Sequence, residues 1–411
     1  MDNSSSKKSL EDIGFLVVSV IALGFLIFFV WQLISGGPLE QATEYSQLGE
    51  NYHSMGDLQR AEEMYLQSLE QFQSINDSAG MAKQYGNLGV IYASRNDWPR
   101  AEKMYIKSLE NFQASSNREG VANQLSNLGM LHVLNNRLQQ AEQMFFRSLK
   151  VYQTLGNQQE VAKQYINLGK LYYGRKEWQR SAQMYLKTLE IYQHLGLQKN
   201  VAENEGKLGS IYLQQGDMKR AEAMLLKSLE HNKVLKRERE MARQYNNLGK
   251  LYLKRSELQG AEKMFLNSLK IYQAKNNQEE MASNYMNLGT IYAAYHNWQR
   301  AEEMFLKSLE INQALNRKAI LANQYDHLGK LYYTMGDWQH AEPMFHKSLE
   351  INQALGRKQE MANQYGNLGH LYSKRGEKQQ AQENFLKSFE LFSELGHPNT
   401  VRVQQLLEAF Q

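Results

Sequence analysis

One forty-residue pattern, clearest from Met81 to Gly120, recurs nine times without a one-residue slip. The copies begin at Gln41, Met81, Val121, Val161, Val201, Met241, Met281, Leu321 and Met361. A fixed period of this size constrains the fold more than any other property of the chain. Each unit must be a supersecondary element that buries its apolar face only against its neighbours. Within the second copy, apolar and small residues fall at Ala82, Tyr85, Leu88, Gly89 and Tyr92, then at Ala101, Met104, Tyr105, Ser108, Leu109 and Phe112. Steps of three and four put each set on one face of an α-helix, so a copy reads as two amphipathic helices. The break between them is polar, as at Gly56-Asp57, Asn96-Asp97, Gly216-Asp217 and Gly336-Asp337. Glycine can leave a helix in the left-handed conformation, and the aspartate can accept from the free N–H groups of the next helix.

Two positions specify the packing. All nine copies have Leu then Gly in the first helix, from Leu48-Gly49 to Leu368-Gly369. Eight open the second helix with Ala, from Ala61 to Ala381, and the exception, Ser181, is also small. A glycine inside a helix costs about 1 kcal/mol relative to alanine, so nine of them need a repeated reason. Close approach supplies one: the helix bearing Ala101 is expected to lie against the bare Gly89, with Tyr85, Tyr92 and Tyr105 filling the flanks.

These residues carry a family resemblance. Leu-Gly-x-x-Tyr, a small residue nine after that Tyr, an aromatic four later (Tyr105, Phe145, Phe265, Phe345) and a small residue three beyond (Ser108, Ser148) resemble the tetratricopeptide repeat, from Leu39 to about Leu395. The copies exceed the usual thirty-four residues by about six, expected in a longer second helix and loop, and lack the family's proline near the end of the unit. In length they are similar to the repeats of kinesin light chain, the spindle-orientation adaptors and many bacterial arrays. The resemblance implies an all-α fold over residues 39–400: an α-solenoid, a right-handed superhelix of nine antiparallel helix pairs whose first helices line the inner wall. No linker interrupts the period, so the array is expected to form one domain.

The segment ahead of the array is different in kind. Residues 1–12 are a short polar tail, whereas Ile13 to Leu39 contains no charged residue and Ile13 to Ile34 is apolar almost throughout. Twenty-two helical residues span about 33 Å, enough for a hydrocarbon core of about 30 Å. One transmembrane helix is therefore predicted over 13–34. The competing reading is a cleaved signal peptide, but the apolar stretch is long for one and Pro38 blocks a cut after Gly37. Lys7 and Lys8 precede the span and the next basic residue is Arg60. The positive-inside rule then keeps the N-terminus cytoplasmic and places the repeats outside, in the periplasm of a Gram-negative cell. Residues 35–38 form a short hinge that holds the array close to the bilayer.

Differences among the copies are local. Trp98, Trp178, Trp298 and Trp338 open second helices where other copies use Leu58, Leu138, Met218 or Leu258, and are expected to pack. Pro99 sits harmlessly in a first turn, whereas Pro343 is deeper and should bend its helix. The ninth copy weakens, with Lys378, Asn384 and Phe389 at positions usually held by other residues. After Pro398, Asn399 and Thr400 can cap a last amphipathic helix within residues 401–411, suited to cover the final repeat.

Chemistry has little support in these residues. The chain has 411 residues and no cysteine, which excludes disulfides, thiolate zinc sites and thiol nucleophiles. A net charge of +4 is too small for the concentrated basic surface of a nucleic-acid binder. Ten histidines show no ligand spacing, and no phosphate-cradling glycine loop or nucleophile elbow is present. No cofactor is implied. His327 and His370 could project from neighbouring first helices into one groove; ordinary surface histidines are the plainer reading. The pairs Glu62-Glu63 and Glu302-Glu303 read as charged helix faces.

Recognition has more support. The residue before the invariant Leu is asparagine in six copies: Asn87, Asn127, Asn167, Asn247, Asn287 and Asn367. Asparagine is a mediocre helix former, and its amide can both donate to and accept from a peptide backbone. In the family the resemblance names, asparagines at this groove position contact peptides. Duplication of a single packing residue is the other explanation. Lys83, Lys163, Lys170, Lys207, Arg243, Lys250 and Lys330 interleave with them against Glu50, Glu203 and Asp326. That excess fits an acidic segment or a carboxylate terminus as ligand, or a merely solvated wall. The sequence thus points to a membrane-anchored scaffold, assembly factor or chaperone-like adaptor that binds protein or peptide rather than a small-molecule substrate. A cytoplasm-facing docking receptor is the alternative, and an enzyme a remote one.

Overall fold

The computed structural model describes residues 37–408. The transmembrane helix expected over 13–34, the polar tail before it, the start of the hinge and residues 409–411 lie outside the described residues. Among those described, every regular element is an α-helix, and none is long and apolar enough to cross a membrane.

The chain divides into two compact units, at Leu195 and Gly196, where the unbroken period led to the expectation of one. The first unit holds α1 (Pro38–Ser54), α2 (Leu58–Ser74), α3 (Ser78–Ser94), α4 (Trp98–Ala114), α5 (Arg118–Leu134), α6 (Leu138–Thr154), α7 (Gln158–Gly174) and α8 (Trp178–His194). The second holds α9 (Gln198–Gln215), α10 (Met218–Val234), α11 (Glu238–Lys254), α12 (Leu258–Ala274), α13 (Gln278–Ala294), α14 (Trp298–Ala314), α15 (Lys318–Met335), α16 (Trp338–Ala354), α17 (Lys358–Arg375), α18 (Lys378–Glu394) and α19 (Asn399–Glu408).

The expected helix pairs are present, but their geometry is more regular than the forty-residue pattern indicated. The first eighteen helices are 17 or 18 residues long, joined by short turns of one kind. The second helix of each copy is thus no longer than the first. Every turn contains one residue with positive φ, at intervals of twenty from Gly56 (φ 81°) through Asn76 (54°) and Asn96 (60°) to Gly396 (59°). Glycine and asparagine are the residues that enter this region at least cost. The following aspartate caps as expected: Asp57, Asp97 and Asp217 accept from the backbone N–H of Arg60, Arg100 and Arg220. Pro38 begins α1, one residue before the expected start. Helix α16 runs through Pro343 at the same 17 residues as its counterparts.

Why the first helices need glycine is answered by a ring rather than by a backbone. A Cβ at Gly89 would stand 2.5 Å from Tyr105, and one at Gly129 would stand 2.6 Å from Phe145. The helix bearing Ala101 does lie against Gly89, but through the ring of Tyr105, which covers the glycine rather than filling its flank, while Ala101 is fully buried. A serine three beyond the aromatic ties the pair, with Ser108 Oγ donating to the Ala82 carbonyl at 2.6 Å and Ser148 Oγ to that of Ala122 at 2.8 Å. Trp98, Trp298 and Trp338 pack against the cores of their copies.

Successive copies are joined by a polar device that the sequence reading passed over. The Tyr172 hydroxyl donates to Glu142 at 2.6 Å and Arg175 meets the same carboxylate at 2.7 Å. Tyr92 with Glu62, Tyr252 with Glu222 and Tyr372 with Glu342 repeat the arrangement, each with an arginine, and Tyr332 with Glu302 repeats its hydroxyl bond. Glu62 and Glu302 are therefore junction residues rather than members of a charged face. At the end of the second unit α19 covers the last pair. Val403 is buried, and Leu406 and Leu407 pack beside Phe385 and Phe392.

Candidate functional site

The asparagine register lies on the first helix of each copy, one residue before the buried Leu88, Leu128 or Leu168. Its position in the helix turns it partly away from the core, and all six asparagines are half-buried. In the first unit, Asn127 on α5 and Asn167 on α7 line one cleft of about 330 Å³, together with Lys163 and Lys170. In the second unit, Asn287 lines a cleft of about 420 Å³ with Lys250, and Asn367 lines one of about 180 Å³ between α17, α18 and α19. A more open hollow of about 550 Å³ beside α4 and α6 holds none of the predicted residues. None of these clefts is lined by Asn87, Asn247, Lys83, Arg243 or Lys330.

A second amide ladder, unremarked in the sequence reading, stands behind the first. The residue three positions before each asparagine is polar in every copy, from Glu44 through Gln84, Gln124 and Gln164 to Gln364, and the glutamines are almost fully buried. The signal was available: a polar residue recurs nine times two positions after the buried alanine, where an apolar one would extend the core face. In three copies these side chains hold the outer asparagine, at Asn127, Asn167 and Asn367. Asn127 Nδ2 donates to Gln124 Oε1 at 3.3 Å, and Asn367 Nδ2 donates to Asp326 at 2.8 Å and to Gln364 at 3.4 Å. Asn247 Nδ2 donates to Ser210 at 3.2 Å. The nitrogens of Asn87 and Asn287 are buried without an acceptor, as the oxygens of Gln84, Gln244 and Gln324 are without a donor. An unmet buried polar group costs about 1–3 kcal/mol, so the walls carry hydrogen-bonding capacity that the chain itself leaves unused.

Charge along the walls is lower than a count of lysines suggests. Lys83 pairs with Glu50 at 2.9 Å, Lys330 with Asp326 at 2.7 Å and Lys163 with Glu160. Glu203 is taken by Arg237 at 2.6 Å. Lys170, Lys250 and Arg243 have no ion pair among the described residues, so the basic excess narrows to these three, while Lys207 has an interaction of its own. The two histidines that could have shared a groove line different clefts: His327 the one at Asn287 and His370 the one at Asn367. Burial lowers the pKa of each below the usual histidine value, and each packs near a ring, Phe305 and Phe385. No three His, Cys, Asp or Glu side chains among the described residues converge as a metal site would require.

No curated protein matches the chain in sequence. Among solved structures, the tetratricopeptide-repeat sensor PH0952, a signal transduction ATPase with numerous domains from Pyrococcus horikoshii, aligns with a TM-score of 0.60 at 16% identity, covering 87% of this chain and 54% of that one. The apo quorum sensor NprR from B. thuringiensis aligns at 0.53 and 16% identity, covering 90% and 99%. Apo RapI aligns at 0.53 and 18% identity, covering 67% and 98%. At such identities the likeness shows the fold. The tetratricopeptide repeat model matches in overlapping windows, 40–114, 81–154 and onward to 319–394. With matches running from residue 40 to residue 394, the chain belongs to the tetratricopeptide repeat family.

Proposed function

We propose that this protein is a non-catalytic binding scaffold whose first-helix walls hold an extended polypeptide segment, and that residues 13–34 anchor it in a membrane with the repeats extracytoplasmic. The observation that carries the reading is the cleft where Asn127 and Asn167 stand with Lys163 and Lys170. Paired amides one copy apart can accept from and donate to a main chain without reading its side chains, and the unpaired Lys170 favours an acidic residue or a free carboxylate nearby. Fold does not fix function, so the partner must be found by experiment. Peptides selected from a random display library on the full-length chain should bind in fluorescence anisotropy. Substitution of Asn127 and Asn167 by Ala should weaken them at least tenfold while circular dichroism stays helical. Undiminished binding, or no selected peptide, would remove the wall as the binding surface. An alkaline phosphatase fused after Gln411 tests the orientation, since it is active only outside; inactivity there would favour the cytoplasm-facing receptor.

A further inference from the structure

We propose that the cleft framed by α13 and α15 over α14 is a specificity pocket for a primary carboxamide, the side chain of an asparagine or glutamine. That this side chain comes from a bound polypeptide rests on the reading above; the chemistry of the pocket does not. One register of the second helices is aromatic in six copies, at Phe72, Phe112, Tyr152, Tyr192, Tyr272 and Phe392, and asparagine in three, at Asn232, Asn312 and Asn352. All three asparagines lie in the second unit and are at most 1% exposed. A side chain of this register extends to the first-helix wall, since the Tyr152 hydroxyl donates to Asn123 at 2.5 Å. Where α14 carries Asn312 in place of a ring, a cleft of about 420 Å³ is present, lined also by Gln324 and Asn287.

The neighbours decide how two of these amides are turned. Asn312 Nδ2 donates to the Ser308 carbonyl at 2.9 Å, so exchanging its ends would set two oxygens together. Ser308 uses its only proton on the Ala282 carbonyl at 2.7 Å and can otherwise only accept, which obliges Gln324 to present its nitrogen there. The oxygens of Asn312 and Gln324 are left buried without a donor, and Asn287 Nδ2 is buried without an acceptor. Two acceptors and one donor on the lining of one cleft are the complement of a group with two N–H bonds and one carbonyl, which is the inventory of a primary carboxamide. A carboxylate or an aliphatic side chain supplies no N–H. A guanidinium carries no acceptor, and it would enter a lining in which Lys250 and Arg317 balance Glu279 and Glu280.

The test is a titration of the full-length chain with N-acetyl-glutamine methylamide and with the corresponding glutamate, leucine and arginine compounds, read on the side-chain amide signals of Asn287, Asn312 and Gln324 by nitrogen-15 NMR. The glutamine compound should shift these signals saturably, with an affinity at least tenfold above the other three. Asn312→Phe, which restores the ring carried by six copies, and Asn312→Leu, which keeps the volume but removes the acceptor, should each abolish the response while circular dichroism stays helical. Equal responses to the four compounds, no response to any, preference for arginine, or a response that survives both variants would overturn the proposal. Failure of the wider reading has a different signature: the pocket saturates with the carboxamide, yet no library peptide binds the wall.

Discussion

Gly129 has no room for an atom beyond its α-carbon, because the Phe145 ring, 1% exposed, would meet a new Cβ at 2.6 Å and cannot move into solvent. Gly129→Ala should therefore destabilise the fold despite alanine's better helix propensity. The steric cost of overpacking, about 1–3 kcal/mol, exceeds the gain of about 1 kcal/mol, and a urea midpoint lower than wild type checks it. An unchanged or raised midpoint would mean that the ring is not confined. That the glycine was needed could be read from nine recurrences; what occupied its space could not, because two buried candidates, Ala101 and Tyr105, lie one helical turn apart on the same face. The asparagine ladder was legible in the same way, by recurrence before an invariant leucine. Its partners were not: Gln124 and Asp326 lie three residues and a whole copy away from the asparagines they hold, and spacing alone does not separate a support from a neighbour.

At the scale of the element, the junctions at Glu62, Glu142, Glu222 and Glu342 are each a short chain of hydrogen bonds from a tyrosine to a carboxylate to an arginine. Burial pushes the Glu142 carboxyl up, but the Tyr172 hydroxyl and the guanidinium groups of Arg175 and Arg180 outweigh it and hold the group below its ordinary 4.5. Glu62 and Glu342 are lowered in the same way. A carboxylate depressed in the fold adds stability above its unfolded pKa, and that stability is lost as pH falls through the lower folded value. The phenols act at the other end: burial, then the bond to glutamate, raises Tyr92, Tyr252 and Tyr292 from 10.0 to about 12. Their contribution is complete below pH 10 and lost as pH climbs toward 12. Denaturant midpoints should thus fall on both sides, below about pH 4.5 and above about pH 10, and Glu142→Gln should lose less on the acid side. A variant that tracks wild type through the acid limb would show that the junction does not titrate as described. The caps behave more simply: Asp217→Ala removes the acceptor of the Arg220 N–H and should lower the thermal midpoint. The helices and their caps were readable from periodicity and from Gly-Asp pairs. The equal twenty-residue spacing was hidden because left-handed positions such as Ser116, Lys176 and His296 carry no glycine to mark them.

For the whole molecule, the two units at Leu195 and Gly196 were invisible in a period that passes through them unchanged. The covering role of α19 was visible in its amphipathic pattern. A chain ending at His397 would expose Phe392, now 2% exposed, and remove Val403 with Leu406 and Leu407 from the end of the second unit. At about 1.5–3 kcal/mol for each large apolar side chain buried, that unit should unfold several degrees earlier by differential scanning calorimetry; an unchanged transition would make α19 an ornament of the fold rather than its cover. The account's central claim is that the first-helix walls grip a polypeptide. Photo-cross-linking decides it most directly, with p-benzoylphenylalanine at Ser126 or Met286, which line clefts, and at Phe146 or Leu226, which are exposed on second helices. The full-length chain, irradiated with a library-selected peptide, should give adducts from Ser126 or Met286 and none from Phe146 or Leu226. Adducts from the second-helix positions alone would contradict it.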